Sequence, residues 1–419
     1  MDIIRVSALP KKPQKGRIYT IETKDVSYYT HGIYKYPCKF IPQIPSWAIE
    51  NLLPPKAGSA QTIYDPFAGS GTTLVEGVLH GLKVIGSEID PLGRLITKVK
   101  SERYSQKEIE QIERDLNNLV MPINRKNTLS RPLLPNLEHW FTADAIHSLA
   151  NLHERITLLE NNKSSEFFKV IMASIVKKVS RADDASPKPY VSTRFSKPSQ
   201  DPFALFEKKS KQALKQLSIY PKPPSGSLGA LGKDARRFNR RANSVQLAIT
   251  SPPYINAFDY VRSLKLENYW LGLVDDASML NLRKGSVGTE SLSQSDIDAT
   301  IHYPSLLTST LDAIRPLDKK RALVVNKYFQ DMRLNLLDVH RLLEPGSRYV
   351  VVVADSEIRG VHVQTRKILS EIASSIGLTE ETYFGYTIEN RYLRIPRQGK
   401  GGLMKVDWVL VLRKSEKIV

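Results

Sequence analysis

The stretch Asp65-Pro66-Phe67-Ala68-Gly69-Ser70-Gly71-Thr72-Thr73 decides how this chain is read. Gln61-Thr62-Ile63-Tyr64-Asp65 leads into it with the β-branched and aromatic make-up of a short strand, and Thr72 to His80 leaves it with a helix-forming pattern that Gly81 stops. Strand, glycine turn and helix open an alternating α/β sheet, where ligands bind beyond the carboxyl ends of the strands. Lys83-Val84-Ile85-Gly86-Ser87-Glu88 is the next strand, and Asp90-Pro91 opens the next helix. The stretch is neither Gly-x-Gly-x-x-Gly nor completed by Gly-Lys-Thr or Gly-Lys-Ser, so a dinucleotide or a nucleoside triphosphate is a poor guess. Glu88 stands where an acid in such folds accepts both ribose hydroxyls, so an adenosyl ligand without phosphates fits. The bland alternative is a glycine turn that only packs strand on helix, and the acid behind nine matching residues argues against it.

Downstream, helices are expected over 105–120, 142–160, 164–180 and 202–217, with a basic Pro- and Ser-rich stretch from Ala185 to Gln200. Pro221-Lys222-Pro223-Pro224-Ser225-Gly226-Ser227 closes this part, and we read it as an insertion. The expected divisions are 1–100, the N-terminal segment and first part of a catalytic domain; 101–227, the helical insertion; and 228–419, the second part. Val245 to Thr250 is an apolar strand of the kind buried on both faces, and it delivers Ser251-Pro252-Pro253-Tyr254. A helix around 321–343 leads into the strand Arg348–Ala354, a helix over 363–376 ends at Gly377, and strands near 380–388 and 405–413 suggest an antiparallel hairpin on the sheet edge.

The 419 residues carry 61 Lys and Arg against 43 Asp and Glu, a formal charge of +18 that suits a polyanionic partner. Nucleic acid leads and an anionic membrane surface is second. No run approaches the ~18 apolar residues of a spanning helix, and the first residues lack an export signal, so the expected compartment is the cytoplasm, with the nucleoid. One cysteine, Cys38, excludes an intrachain disulfide framework and a cysteine-rich zinc site; with no His-Glu-x-x-His, no metal is expected.

The paired prolines of Ser251-Pro252-Pro253-Tyr254 stiffen the backbone and remove two N–H donors, leaving carbonyls free to accept from a substrate amine, while Tyr254 can stack on a planar base. Alone, such a tetrad is a common turn; its place at the end of a buried strand gives it weight.

Together, Asp65 to Thr73 and Thr250 to Tyr254 resemble the S-adenosylmethionine-dependent amino-methyltransferases of DNA, with a DPFxGSGTT-type cofactor loop and a (D/N/S)PP(Y/F) tetrad. The Thr-Ser-Pro-Pro-Tyr form is similar to the cytosine-N4 branch. The resemblance covers roughly 31–100 and 228–413 and implies a Rossmann-like class I methyltransferase fold with a seven-stranded, mostly parallel sheet. The implied cofactor is S-adenosyl-L-methionine, held by Asp65, Phe67, Ala68, Gly69, Ser70, Gly71, Thr72 and Thr73, by Glu88 and Ile89 at the ribose, by Asp234 and Ala235 at the adenine, and by Lys39 and Phe40 near the carboxylate. The implied catalytic tetrad is Ser251, Pro252, Pro253 and Tyr254, acting on a base flipped out of double-stranded DNA. Expected DNA contacts are Arg181, Arg194 and Lys197 in the insertion, Arg236 and Arg237 beside Asp234, and Arg391, Arg394 and Arg397 in the C-terminal loop. The insertion is the candidate target-recognition region, with Val274 to Ile301 as the other candidate. A cognate restriction endonuclease acting separately is a possible partner, and the oligomeric state is open. Adenine N6 is the alternative acceptor. An RNA amino-methyltransferase is a further reading, although no appended RNA-binding domain is recognisable. A silent nucleic-acid-binding subunit is the other, and the intact Asp65, Gly69, Gly71, Glu88 and Ser251 argue against it. Cys38 lies in a Pro-Cys pair like that of cytosine-C5 enzymes but precedes the cofactor loop, so it is read as a packed cysteine.

Overall fold

The structure is a computed structural model that describes residues 3–22, 26–36, 40–55, 61–121, 130–194, 197–219, 225–255, 259–292, 304–388 and 406–416. Its strands are β1 (Ile3–Val6), β2 (Ile18–Ile21), β3 (Thr62–Asp65), β4 (Lys83–Ser87), β5 (Ser227–Gly232), β6 (Val245–Thr250), β7 (Leu343–Val353), β8 (Ser356–Ile358), β9 (Val361–Val363), β10 (Leu378–Ile388) and β11 (Asp407–Lys414). Nine form one sheet in the order β1-β2-β10-β11-β7-β6-β3-β4-β5, and β8 and β9 form a separate ribbon. Only the pairings of β11, with β10 and β7, are antiparallel within the large sheet.

The seven strands from β10 to β5 are the mostly parallel sheet the sequence implies, and two more lie beyond them. β2 pairs with β10 in parallel, from Gly385 opposite Ile18, and β1 pairs with β2. The β10–β11 hairpin is therefore inside the sheet, not on its edge. Four-residue strands show too little alternation to be read from sequence, yet Ile18 and Ile21 are buried here.

The central strands are apolar throughout because both faces are covered. All six residues of β6 are buried. Leu247 and Ile249 point to one side with Ile63, Val84, Val350 and Val352, beneath the helices Gln43–Leu52 and Thr72–Leu79. Ala248 points to the other with Tyr64, Ile85, Tyr349 and Val351, against the helices Lys319–Leu342 and Thr365–Ser374.

The expected helices of the insertion are Gln106–Val120, Ala143–Thr157, Asn162–Val179 and Pro202–Ser218. Each starts on a side-chain cap that occupies backbone N–H groups with no partner inside the helix: Ser105, Thr142, Asn161 and Asp201. Asn162–Val179 is buried nearly all round, through Phe167, Phe168, Val170, Ile171, Met172, Ile175 and Val176. These residues share one apolar cluster with Val75, Leu92 and Ile96 of the sheet-covering helices and with Leu266 and Trp270. No core boundary falls at residue 100. Among the described residues, no helix is long and apolar enough to cross a membrane.

A shared core should unfold as one. Phe168→Ala should cost about 3–5 kcal/mol and move a single urea transition, coincident by circular dichroism and tryptophan fluorescence. Two separated transitions would mean the helices form a unit of their own.

Candidate active site

From β3 the chain proceeds to β4 and β5 on one side, and from β6 to β7 on the other, so β3 and β6 flank the point where the sheet order reverses. A crevice opens there beyond the carboxyl ends of the strands. Thr250 Oγ1 donates to Asp65 Oδ1 at 2.5 Å, and the Phe67 N–H reaches both Asp65 Oδ1 (3.0 Å) and Thr250 Oγ1 (3.2 Å). Burial pushes the Asp65 carboxyl up to about 6, opposed by hydrogen bonds from Thr250, Thr73 and Phe67. The two motifs are thereby fastened to each other.

The loop after β3 is held by its own backbone: Ala68 N–H donates to Ser87 O at 2.8 Å and Gly71 N–H to Ala68 O at 2.6 Å. Gly71, at φ +77°, caps the helix Thr72–Leu79, and a Cβ there would stand 3.2 Å from the Thr97 backbone. Both oxygens of Glu88 are fixed by backbone N–H groups, Oε2 by Gly69 at 2.9 Å and Oε1 by Asp90 at 2.8 Å. Sequence reasoning passed over Gly93: a Cβ at that position would lie 2.7 Å from Glu88 Cγ, so the acid needs a glycine beneath it. The only available signal was a glycine in the first turn of a helix, where it is costly. Asp90 caps that helix and is held by Asn268 Nδ2 at 3.0 Å. Burial raises the Glu88 carboxyl to about 8; the N–H groups of Asp90 and Gly69 act against this and the nearby Asp90 charge adds to it.

A cavity of about 320 Å³ occupies the crevice. Of the expected cofactor residues, Phe40, Phe67, Ala68, Gly69, Ser70, Thr72, Glu88, Ile89, Asp234 and Ala235 line it, and so do Ser251 and Pro253. Asp65, Gly71, Thr73 and Pro252 are buried and are not among the lining residues. Tyr254 departs from expectation: its phenol donates to Asp407 Oδ1 at 3.1 Å, at the start of β11, and it does not line the cavity. An acid 153 residues away in sequence could not be seen from the tetrad. Tyr36, in the segment that resembles the family's cofactor-flanking N-terminal stretch, lines the cavity, and Tyr260 and the segment Gly285–Ser291 line it without any motif to announce them. Lys39, Cys38, Arg391, Arg394 and Arg397 lie outside the described residues.

Three expected phosphate contacts already donate within the protein, among them Arg181, from Nη1 to the Glu138 carbonyl at 3.0 Å. Arg236 bonds Asp234, Asp331 and the Gly285 carbonyl. Lys197 Nζ donates to Lys177 O, Ala182 O and Asp184 Oδ1 and is 12% exposed, so it knits the loop it sits on. Arg181, Arg194 and Arg237 are exposed. Lys188, in the insertion, reaches the cavity wall. Among the described residues, no group of three or more His, Cys, Asp or Glu could hold a metal ion.

No family model matches the chain. It is 25% identical over 375 residues to the Type II methyltransferase M.MvaI of Kocuria varians, covering 82% of this chain and 80% of that one. The Type II methyltransferase M.BsoBI of Geobacillus stearothermophilus is 23% identical over 379 residues, covering 75% and 72%. M.MjaII of Methanocaldococcus jannaschii, another Type II methyltransferase, is 37% identical over 98 residues, 23% of this chain and 18% of that one. The chain is a methyltransferase, with S-adenosylmethionine as its cofactor. Solved structures include a SAM-dependent methyltransferase from Methanosarcina mazei, at 10% identity with coverage of 92% and 100% and a TM-score of 0.29. An rRNA methyltransferase from Streptomyces viridochromogenes, at 11% identity with coverage of 91% and 88%, has a TM-score of 0.30. The fold rests on the strand order.

The cavity suits that cofactor by its donors and acceptors. It offers a carboxylate for vicinal hydroxyls at Glu88, another for an amine at Asp234, and a loop whose Gly69, at φ +53°, lines the wall without a side chain. Hydroxyl donors favour the Glu88 carboxylate over its acid, so cofactor binding should expel a proton at about pH 7, below the raised value. Titration calorimetry in buffers of different ionisation enthalpy should record that release and lose it in Glu88→Gln. A buffer-independent heat for the unaltered protein would contradict it.

Proposed function

We propose that the chain is a DNA methyltransferase that moves a methyl group from S-adenosylmethionine to the N4 amine of cytosine in duplex DNA, as the modifying partner of a separate restriction endonuclease. The observation that carries this reading is that Ser251 and Pro253 line the same cavity as Gly69, Glu88 and Asp234. Acceptor and cofactor groups therefore face one space.

The bound cofactor supplies an electrophilic methyl group on a sulfonium. Gly69, Ser70 and Thr72 take its amino-acid end, Glu88 its ribose hydroxyls and Asp234 its adenine amine. The cytosine amine is a poor nucleophile because its lone pair is delocalised into the ring. Ser251 Oγ, at the cavity wall, accepts one of its N–H bonds, which favours a more tetrahedral nitrogen with its lone pair turned to the methyl. Holding both reactants supplies several kcal/mol, up to ~7–11 in favourable systems, without a covalent enzyme nucleophile. The amine is inaccessible in a duplex, so the base is flipped into the cavity, where Tyr260 offers an aromatic face beside the tetrad.

The charge of +18 and the exposed Arg181, Arg194 and Arg237 support a nucleic-acid partner, as does the long similarity to Type II methyltransferases. The insertion serves as the target-recognition region, with Lys188 at the cavity wall. Segment Gly285–Ser291, also at the cavity, shares that duty. The enzyme works in the cytoplasm on the nucleoid.

Duplex DNA incubated with isotope-labelled S-adenosylmethionine and digested to nucleosides should yield labelled N4-methylcytosine by mass spectrometry. Ser251→Ala should reduce the product at least about 100-fold and leave cofactor affinity unchanged. N6-methyladenine would overturn the choice of acceptor, and label only in RNA would overturn the choice of nucleic acid.

A further inference from the structure

The turn after β5 is built on one stripe of a helix. In Lys319–Leu342, Asp331, Asn335, Asp338 and Arg341 recur at i, i+4, i+7 and i+10, so they share a face. Asn335 Nδ2 donates to the Ala235 carbonyl at 2.7 Å. Asp338 Oδ2 accepts the Phe238 N–H at 2.8 Å, and Arg341 donates to the Phe238 carbonyl at 2.7 Å. Asp331 Oδ1, on a side chain only 2% exposed, accepts from Arg236 Nη1 at 2.9 Å.

Arg236 uses the rest of its donors at the cavity. Nε and Nη2 grip Asp234 through both carboxylate oxygens, at 2.9 and 3.0 Å. Nη2 also donates to the carbonyl of Gly285, which lines the same cavity, at 3.1 Å. Five donors in a rigid plane suit such a three-way junction, and a lysine could not reproduce it. Burial alone would raise the Asp234 carboxyl, but the hydrogen bonds from Arg236 outweigh it and hold the group below its ordinary value. Asp234 thus stays an anion with lone pairs left to accept.

We propose that Arg236 is a positioning residue for the purine of the cofactor: it aims the Asp234 carboxylate at the 6-amino group and ties the Gly285–Ser291 wall to the same turn. This rests on the assignment of Asp234 to the adenine made above. Arg236 was expected to meet phosphates; its three partners give it this different duty, and the neighbouring Arg237 is the exposed one.

The test is equilibrium binding of two probes, S-adenosylhomocysteine and its analogue with hydrogen in place of the 6-amino group. The unaltered protein should prefer the amino compound about 10- to 100-fold, the range for a hydrogen bond to a charged group. Arg236→Gln should bring the preference close to one, mainly by weakening the amino compound. Arg236→Lys, which keeps the charge and carries the test should Arg236→Gln not fold, should lose most of it. Arg237→Gln should keep the preference and lower the salt slope of DNA binding by about one, a slope that the Arg236 variants leave alone. Equal weakening of both probes in the Arg236 variants would make the residue a scaffold only and overturn the proposal. A preference that survives Asp234→Asn would instead overturn the assignment of Asp234 itself, and with it the role of Arg236.

Discussion

Asp65 and Thr250 end two neighbouring parallel strands, and the 2.5 Å hydrogen bond between their side chains makes one wall out of two loops that are 185 residues apart in sequence. The bond is buried, so the carboxyl cannot exchange it for water, and losing it would leave a desolvated acceptor at a cost of about 1–3 kcal/mol. The Phe67 N–H, shared between the same two side chains, locks the first residues of the glycine loop to the last residue of β6. Whatever Gly69 and Glu88 hold is thus fixed relative to whatever Ser251 holds. Fixing two reactants before they react is where a transfer without a covalent intermediate finds most of its advantage.

Residues that need not touch either reactant extend this constraint. Gly93 leaves room for Glu88, Asn268 holds Asp90, and the stripe Asp331, Asn335, Asp338 and Arg341 carries the turn that bears Asp234. Asn268 follows Leu266, which belongs to the same apolar cluster as the insertion helices. Packing therefore links the helical layer to the floor of the cavity. The region that contributes Lys188 to the cavity wall thus shares its core with the helices beneath that wall.

Most of the sheet was legible because buried parallel strands read as apolar runs and glycines mark their turns: β3, β4, β6 and β7 stand where Gln61–Asp65, Lys83–Glu88, Val245–Thr250 and Arg348–Ala354 were expected. β1 and β2 were not: β2 owes its place to β10, more than 350 residues away, and β1 is held by β2. Among the expected site residues, Phe67 to Ser70, Thr72, Ser251 and Pro253 of the contiguous motifs line the cavity, whereas residues with distant partners are engaged inside the protein. Arg236 and Lys197 look like free charges in sequence, but their acceptors include Asp331, 95 residues off, and backbone carbonyls, which leave no trace in composition. The tyrosine of the tetrad was read as a stacking face, and its tie to Asp407 belongs to the tertiary structure alone.

The coupling of the two loops is tested most directly by the single-turnover methylation rate of Thr250→Val, at saturating cofactor and DNA. Valine keeps the shape and the β-branch but cannot donate to Asp65. The rate should fall at least about tenfold, the equivalent of 1.4 kcal/mol, while cofactor affinity changes by less than about threefold. An unaltered rate would contradict the account, because the cavity would then be assembled without the bond that joins its two halves.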